Sequence, residues 1–137
     1  MKGEVAVLSQ LGATAAITAL VSTRIYQGER PQRSIIPAIV VDLDRSEPVM
    51  SKDVTATGQS VDIDYVYVQA YGKDYNEALS VAIQIRTALD YLFKTETTIG
   101  GVVVQQIRMM SQIYDHYSIA DREIWYFEQE YAVRTRN

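Results

Sequence analysis

The feature that most constrains this chain is residues 61–71, where side chains alternate between two faces with the period of two that a β-strand requires. One face carries Val61, Ile63, Tyr65, Tyr67 and Tyr71. The other face carries Asp62, Asp64, Val66, Val68 and Ala70. Both faces are apolar in the middle, which is typical of a central strand covered on both sides.

A helix signal follows this strand. Gly72 and Lys73 end the strand, Asp74 stands at the N-cap position, and Glu77 completes the spacing of a capping box. Apolar side chains then recur at steps of three and four: Ala78, Ala82, Ile85, Leu89 and Leu92. The pattern predicts an amphipathic helix that ends near residue 94.

The N-terminal region, residues 3–23, also has helical periodicity. One apolar stripe consists of Val5, Leu8, Leu11, Ala15 and Ala19, whereas Ile17, Leu20 and Val21 lie off that stripe. A helix that is apolar around most of its circumference is usually buried on more than one side. The second side meets either the core of the same chain or a neighbouring subunit.

The remaining segments predict strands and loops. Residues 24–26 form a short extended piece, and strands are expected at 35–44, 102–113 and 122–134. Residues 115–118 with Asp121 are expected to form the turn of a C-terminal hairpin, and residues 45–60 a long polar loop. The whole chain, residues 1–137, then forms one α+β domain with two α-helices on one face of a mostly antiparallel sheet, in the order α-β-β-β-α-β-β.

Composition restricts the function further. The formal net charge of −4 and the pI of about 4.9 disfavour unassisted binding to nucleic-acid phosphates. Cysteine is absent, so no disulfide, thiolate metal site or cysteine nucleophile can exist. Glu4 and the interruption at Ser9 and Gln10 argue against a signal peptide or a membrane span in the alanine-rich start.

The patterns expected of catalytic sites are missing. The only histidine, His116, is adjacent in sequence to Asp115 and close to Ser118, whereas a catalytic triad brings groups together across the fold. Three carboxylate pairs lie two residues apart on predicted strands, namely Asp42 with Asp44, Asp62 with Asp64, and Glu128 with Glu130. Such pairs can hold a hard cation or act as acid and base, but a solvated sheet face is the simpler interpretation. The sequence therefore predicts a protein that is not an enzyme and has no cofactor or metal.

Tyrosine and arginine provide the signs of assembly. The chain has ten tyrosines but only two phenylalanines and one tryptophan. Tyrosine suits surfaces that become buried against a partner, because it combines a large apolar ring with a hydroxyl. The candidate contacts with other copies or partners are Arg24, Arg30, Arg33, Glu47, Lys52, Asp53, Tyr75, Tyr117 and Arg134. The alternative is that the charged members are only solvated surface groups.

Three stretches resemble the small tail-completion, or tail-terminator, proteins of long-tailed bacteriophages, a family often catalogued only as a domain of unknown function. They are residues 20–26 at the end of the first helix, the proline-led strand 36–41, and residues 66–72 leading into the helix through residue 90. The resemblance implies a structural virion protein in the neck region of the tail, assembled in the host cytoplasm. It also implies a ring, typically a hexamer, that ends tail-tube polymerisation, contacts the tail tube protein and the head connector protein, and lets DNA pass without specific binding.

Three other functions remain open at this point. The first is another neck component, such as a head–tail connector subunit. The second is a small metal-dependent enzyme that uses the strand carboxylates, and the third is a ligand-binding domain with an apolar pocket.

Overall fold

The computed structural model describes residues 2–31, 34–49, 61–90 and 96–136. Within these ranges there are three helices: α1 (Lys2–Ala13), α2 (Ala15–Val21) and α3 (Tyr75–Asp90). There are six strands: β1 (Ile25–Gln27), β2 (Ala38–Pro48), β3 (Val61–Gly72), β4 (Thr97–Ile99), β5 (Val102–Ile119) and β6 (Arg122–Arg136).

All six strands belong to one sheet in the order β1-β2-β3-β6-β5-β4. Only β1 and β2 are parallel neighbours; every other pair is antiparallel. The α+β class and the mostly antiparallel sheet are thus confirmed. The predicted element order was wrong, because the described part of the chain contains one more helix and one more strand, β4, than expected.

The helices pack on one face of the sheet. The core joins buried residues of all three helices to one side of the central strands, for example Leu11, Ile17 and Ile85 to Val66 and Val68 of β3. The opposite face of β3, which includes Tyr65 and Tyr67, is only half-buried. The expectation that this strand is covered on both faces was therefore wrong. The strand has neighbours on both edges, but only one of its faces lies beneath a helical layer.

The single helix predicted over residues 3–23 is in fact two helices, which meet at a bend of 82°. Thr14 lies between them in an extended conformation, and its hydroxyl donates a 2.7 Å hydrogen bond to the Gln10 carbonyl. The bend turns Leu11 of α1 and Ile17 and Val21 of α2 into the same core, where each is fully buried. The bend explains why apolar residues of this segment extend beyond a single stripe in the sequence.

Among the described residues no single helix combines the length and apolar character needed to cross a bilayer. Helices α1 and α2 meet that requirement only if they are counted together across their bend.

The C-terminal hairpin is longer than predicted. β5 and β6 stay paired from Val103↔Arg136 to Ile119↔Arg122, and the turn lies at Ala120 and Asp121, both with positive φ. Two positive-φ residues are the signature of a type I′ hairpin turn. The expected turn at residues 115–118 was therefore wrong. Those polar residues belong to β5, and an Ala-Asp turn lacks the usual asparagine-glycine signal.

The predicted polar loop at 45–60 is partly strand. β2 continues to Pro48, past an irregularity in pairing between Leu43 and Arg45. Residues 50–60 lie outside the described residues, as do residues 91–95, where the third helix was expected to end.

The start of α3 follows the predicted capping box. Asp74 accepts a 2.8 Å hydrogen bond from the Glu77 amide, and Glu77 accepts one of 3.2 Å from the Lys73 amide. Gly72 permits the tight turn, because a β-carbon there would lie 2.5 Å from the Ala78 nitrogen. This turn fixes α3 against β3 and β6.

Candidate assembly surfaces

The sheet face opposite the helices is the largest candidate surface. Cross-strand partners share a face, so the pairings place Tyr65 and Tyr67 of β3 beside Ala132 and Glu130 of β6 on this uncovered face. The Tyr67 hydroxyl bonds to the Glu130 carboxylate, and that negative charge raises the pKa of Tyr67. The centre of the face is therefore acidic and rich in tyrosine.

A shallow depression of about 230 Å³ lies on this face toward the β4 end of the sheet. Its walls are Ile63, Tyr65, Gln106, Arg108, Ala132 and Arg134. The Arg45 guanidinium lies 3.8 Å from the centre of the Tyr65 ring and also pairs with Asp44 and Glu47. Such a polar, open depression differs from the enclosed apolar pocket expected of a small-molecule site.

The segment that follows β1 places Arg30 over the other end of the uncovered face. Arg30 lies 5.0 Å from the centre of the Tyr71 ring, and its guanidinium donates hydrogen bonds to Ser34 Oγ at 2.9 Å and to the Tyr117 hydroxyl at 3.3 Å. Burial raises the pKa of Tyr71 to about 12. The fold thus brings Arg30 and Tyr117 together, but their hydrogen bond lies within one chain.

Arg24 also makes hydrogen bonds within the chain. Its Nε donates a 2.9 Å hydrogen bond to the Pro37 carbonyl, and its Nη2 a 3.5 Å bond to the Leu20 carbonyl. These bonds connect the end of α2 to the start of β2, so the structure gives Arg24 a folding role.

Tyr75 belongs to a separate aromatic cluster on the helical side. Its ring contacts Tyr114, Trp125 and Phe127, with centroid separations of 5.7, 5.8 and 5.4 Å. Tyr75 and Tyr114 remain exposed, and Ile83 is exposed further along α3. This patch is a second surface, distinct from the uncovered sheet face.

Glu47 and Arg134 lie on the uncovered face at the β4 end. Glu47 is exposed, whereas Arg134 is half-buried and donates a 3.0 Å hydrogen bond to the Gln105 side chain. Arg33, Lys52 and Asp53, the other three predicted contacts, lie outside the described residues.

The edges of the sheet carry features that the sequence did not indicate. β4 pairs only with residues 102–104 of β5, so residues 105–119 have no neighbour on their outer side within the described chain. Likewise β1 pairs only with residues 39–41 of β2, so among the described residues nothing pairs with the outer side of residues 42–48. Ile113 and Tyr114 on the β5 edge are 58% and 61% exposed. Long open edges with exposed apolar side chains are prone to pair with another chain.

Comparison with known families shows which family the chain belongs to. The family model of "Tail completion protein gp17" matches residues 5–112, which is most of the chain. The chain belongs to this family. It is therefore a structural component of a phage or phage-like virion tail, as the resemblance in sequence implied. No curated protein matches the chain.

Solved structures add the fold. A chain from the virion of a native gene transfer agent particle superposes with a TM-score of 0.68 at 17% identity, over 98% of this chain and 94% of that one. At that identity the likeness concerns the fold alone. A further solved chain, with a TM-score of 0.33 and 15% identity over 87% of this chain and 91% of that one, is too different to inform it.

The carboxylate pairs of this tail-completion protein do not assemble a metal centre in the described residues, where no group of three or more histidine, aspartate or glutamate side chains converges. Asp64 accepts hydrogen bonds from the Gly3 amide and the Ser46 hydroxyl. His116 stacks on Trp125 at 4.3 Å and contacts Glu123 at 3.0 Å at the exposed hairpin. Asp64 and His116 thus have local structural partners.

Proposed function

We propose that this tail-completion protein forms a closed ring, a hexamer, at the head-proximal end of the tail tube, where it ends tube polymerisation and joins the tail to the head. The role is structural and involves no catalysis. The proposal rests on the surfaces that the described part of one copy of this family member leaves without a partner. They are an uncovered tyrosine-rich sheet face and two open sheet edges.

A ring needs two different and complementary surfaces on each copy. The two sheet edges are different, because one belongs to β2 and the other to β5, and they lie on opposite sides of the molecule. The helical side presents a further exposed patch around Tyr75 and Tyr114 for the tube or the connector. One subunit can thereby contact its copies laterally while it contacts other virion proteins with separate surfaces.

The charge at the centre of the uncovered face agrees with a channel that DNA crosses. Asp42, Glu128 and Glu130 surround Tyr67 there, whereas the arginines of this face lie toward its ends. If this face lines the ring, acidic groups repel the phosphate backbone and keep DNA from adhering.

The first experiment measures the mass of the full-length protein by light scattering and native mass spectrometry, followed by negative-stain imaging. A ring of uniform copy number is expected, alone or at the ends of tubes assembled from tail tube protein. A protein that remains monomeric in both conditions contradicts the proposal.

The second experiment adds the protein to polymerising tube protein and measures tube length. Shorter tubes with a capped end support termination. Rings that bind the head connector but leave tube length unchanged would identify a different neck component.

A matched pair of variants tests the Tyr75 patch in the same assay. Tyr114→Lys places a charge on the exposed patch from β5, whereas Ser80→Lys places a charge at an exposed position of α3. Loss of tube or connector binding is expected only for the first, with the ring itself retained.

A further inference from the structure

We infer that neighbouring copies join by strand pairing, with residues 42–48 of β2 in one copy against residues 107–113 of β5 in the next, so that one sheet runs continuously around the ring. The inference rests on the proposed ring and names how its copies meet. Its basis is the position, direction and charge of the two open edges.

Strand direction is the first argument. β2, β3, β6 and β5 are successive antiparallel neighbours, so β2 and β5 run in opposite directions. When a second copy is placed beside the first with its sheet in the same orientation, its β2 lies antiparallel to β5. Antiparallel pairing is the more favourable ladder per residue and needs no rearrangement here.

The position of the short strands is the second argument. Tracing partners across the sheet from β2 gives Glu47↔Ile63, then Ile63↔Arg134, then Arg134↔Gln106. The same trace from Ile39 reaches Tyr114. The open part of β2 therefore lies level with residues 105–111. β1 and β4 cover opposite ends of the sheet, so neither of them blocks the approach of the two open edges.

Charge is the third argument. Residues 42–48 carry three acidic groups and one arginine, whereas residues 107–113 carry Arg108 and no acidic group. The described contact of the exposed Arg108 guanidinium is with Met110 Sδ at 3.4 Å. Glu47 is exposed on the same face of the opposite edge. In the level register Arg108 would lie across from Arg45, and the two arginines would repel each other. A slide of two residues, to residues 107–113, instead brings Arg108 across from Glu47 of the next copy.

The charges also disfavour the symmetric alternative. If two β5 edges paired with each other in a register centred on Arg108, the two Arg108 side chains would be brought together in a closed dimer, and like charges across a ladder are destabilising. Pairing of β2 with β5 avoids this contact. It also leaves a β2 edge free at one end of a row of copies and a β5 edge free at the other, and these two complementary ends can close a ring.

Charge reversal provides the first test, with ring fraction measured by light scattering and tube capping as a second readout. Arg108→Glu and Glu47→Arg are each expected to lower the ring fraction at least tenfold, since like charges at an interface repel. The double variant restores the pair with opposite polarity and is expected to recover the ring. Arg122→Glu, at the exposed end of the hairpin, is the matched control and leaves the ring intact.

Disulfide trapping provides the second test, because the chain has no cysteine of its own. Oxidation of the Glu47→Cys, Arg108→Cys double variant is expected to give a ladder of covalent oligomers that ends at the ring size. Each single variant is expected to stay monomeric on a denaturing gel.

Three results would overturn the inference. Covalent dimers of the Arg108→Cys single variant would show that β5 edges pair with each other. Rings that form normally in both charge-reversed single variants and give no ladder would show assembly through other surfaces, with the proposed function intact. A wild-type protein that never forms rings would contradict both proposals.

Discussion

The backbone amide of Gly3 donates a 2.7 Å hydrogen bond to the carboxylate of Asp64, which joins the first turn of α1 to the buried face of β3. The two residues are 61 positions apart in sequence. A carboxylate beneath the N-terminus of a helix accepts from amides that have no partner inside the helix and also interacts favourably with the helix dipole. Asp64 is thus a buried acidic residue that positions a helix.

Replacing Asp64 by Asn is expected to lower the free energy of unfolding by about 1–3 kcal/mol. The charged acceptor is lost, and the side-chain NH2 group of the asparagine is itself a donor placed against other donors. Chemical denaturation of the monomer measures this change. Asp121→Asn is the control, since Asp121 is exposed and asparagine tolerates the positive φ of the turn. Equal stability of the two variants would contradict the role assigned to Asp64.

The same contact predicts a dependence on pH. Burial of Asp64 opposes its ionisation, but the hydrogen bonds it accepts, including those from Ser46 and Gly3, outweigh burial and hold its pKa below the usual 3.8. Because the folded pKa lies below the unfolded value, the contribution is fully present above that usual value and is lost as the pH falls through the folded pKa. Denaturation midpoints measured below pH 4 should therefore fall less steeply for Asp64→Asn than for the wild type.

The two glycines of α1 are expected to respond in opposite ways to alanine. A β-carbon on Gly3 would lie 2.7 Å from Asp64 Cβ, so Gly3→Ala forces the helix away from the sheet and costs about 1–3 kcal/mol. A β-carbon on Gly12 meets no atom within 4 Å, and Gly12→Ala is expected to stabilise by up to about 1 kcal/mol, since alanine is the better helix former. Thermal unfolding of both variants checks the difference in sign.

A buried polar chain under α3 gives the next prediction. The Tyr131 hydroxyl donates a 2.7 Å hydrogen bond to Gln129, whose amide nitrogen donates to the Ala82 carbonyl at 3.1 Å and to Gln112 at 2.7 Å. Tyr131→Phe leaves the Gln129 oxygen without this donor and is expected to cost about 1–2 kcal/mol. Tyr65→Phe is the matched control, because that hydroxyl makes only an exposed 3.4 Å contact with Glu47, and it should cost less than 0.5 kcal/mol, roughly the limit for surface substitutions.

Local signals in the sequence predicted most of the elements. The alternation in β3 and the capping box at Asp74 depend only on residues close in the chain, and both were confirmed. The break at Thr14 was missed because a helical stripe and a bent pair of helices carry the same apolar residues. The uncovered face of β3 was misjudged because tyrosines suit a half-exposed face as well as a covered one.

The assembly surfaces were harder to predict, for a physical reason. Arg24 and Arg30 were expected to be free anchors, but their partners Pro37 and Tyr117 are brought to them only by the fold. Whether an edge is open depends on the length of the neighbouring strands, and β4 is only three residues long. Arg108 was overlooked because nothing beside it in sequence marks the outer edge of β5 as open.

The final prediction concerns Arg30, which contacts Tyr71 and Tyr117 of the uncovered face and also donates a hydrogen bond to Ser34. Arg30→Ala removes a cation–π contact and partly buried hydrogen bonds, so it is expected to destabilise the fold by about 1–2 kcal/mol. Arg30→Lys keeps the charge but not the planar fork of donors, and only partial recovery is expected. Chemical denaturation measures both, with Arg122→Ala as an exposed control. If Arg30→Ala weakened ring formation while the monomer kept full stability, Arg30 would instead be a partner contact, as the sequence alone indicated.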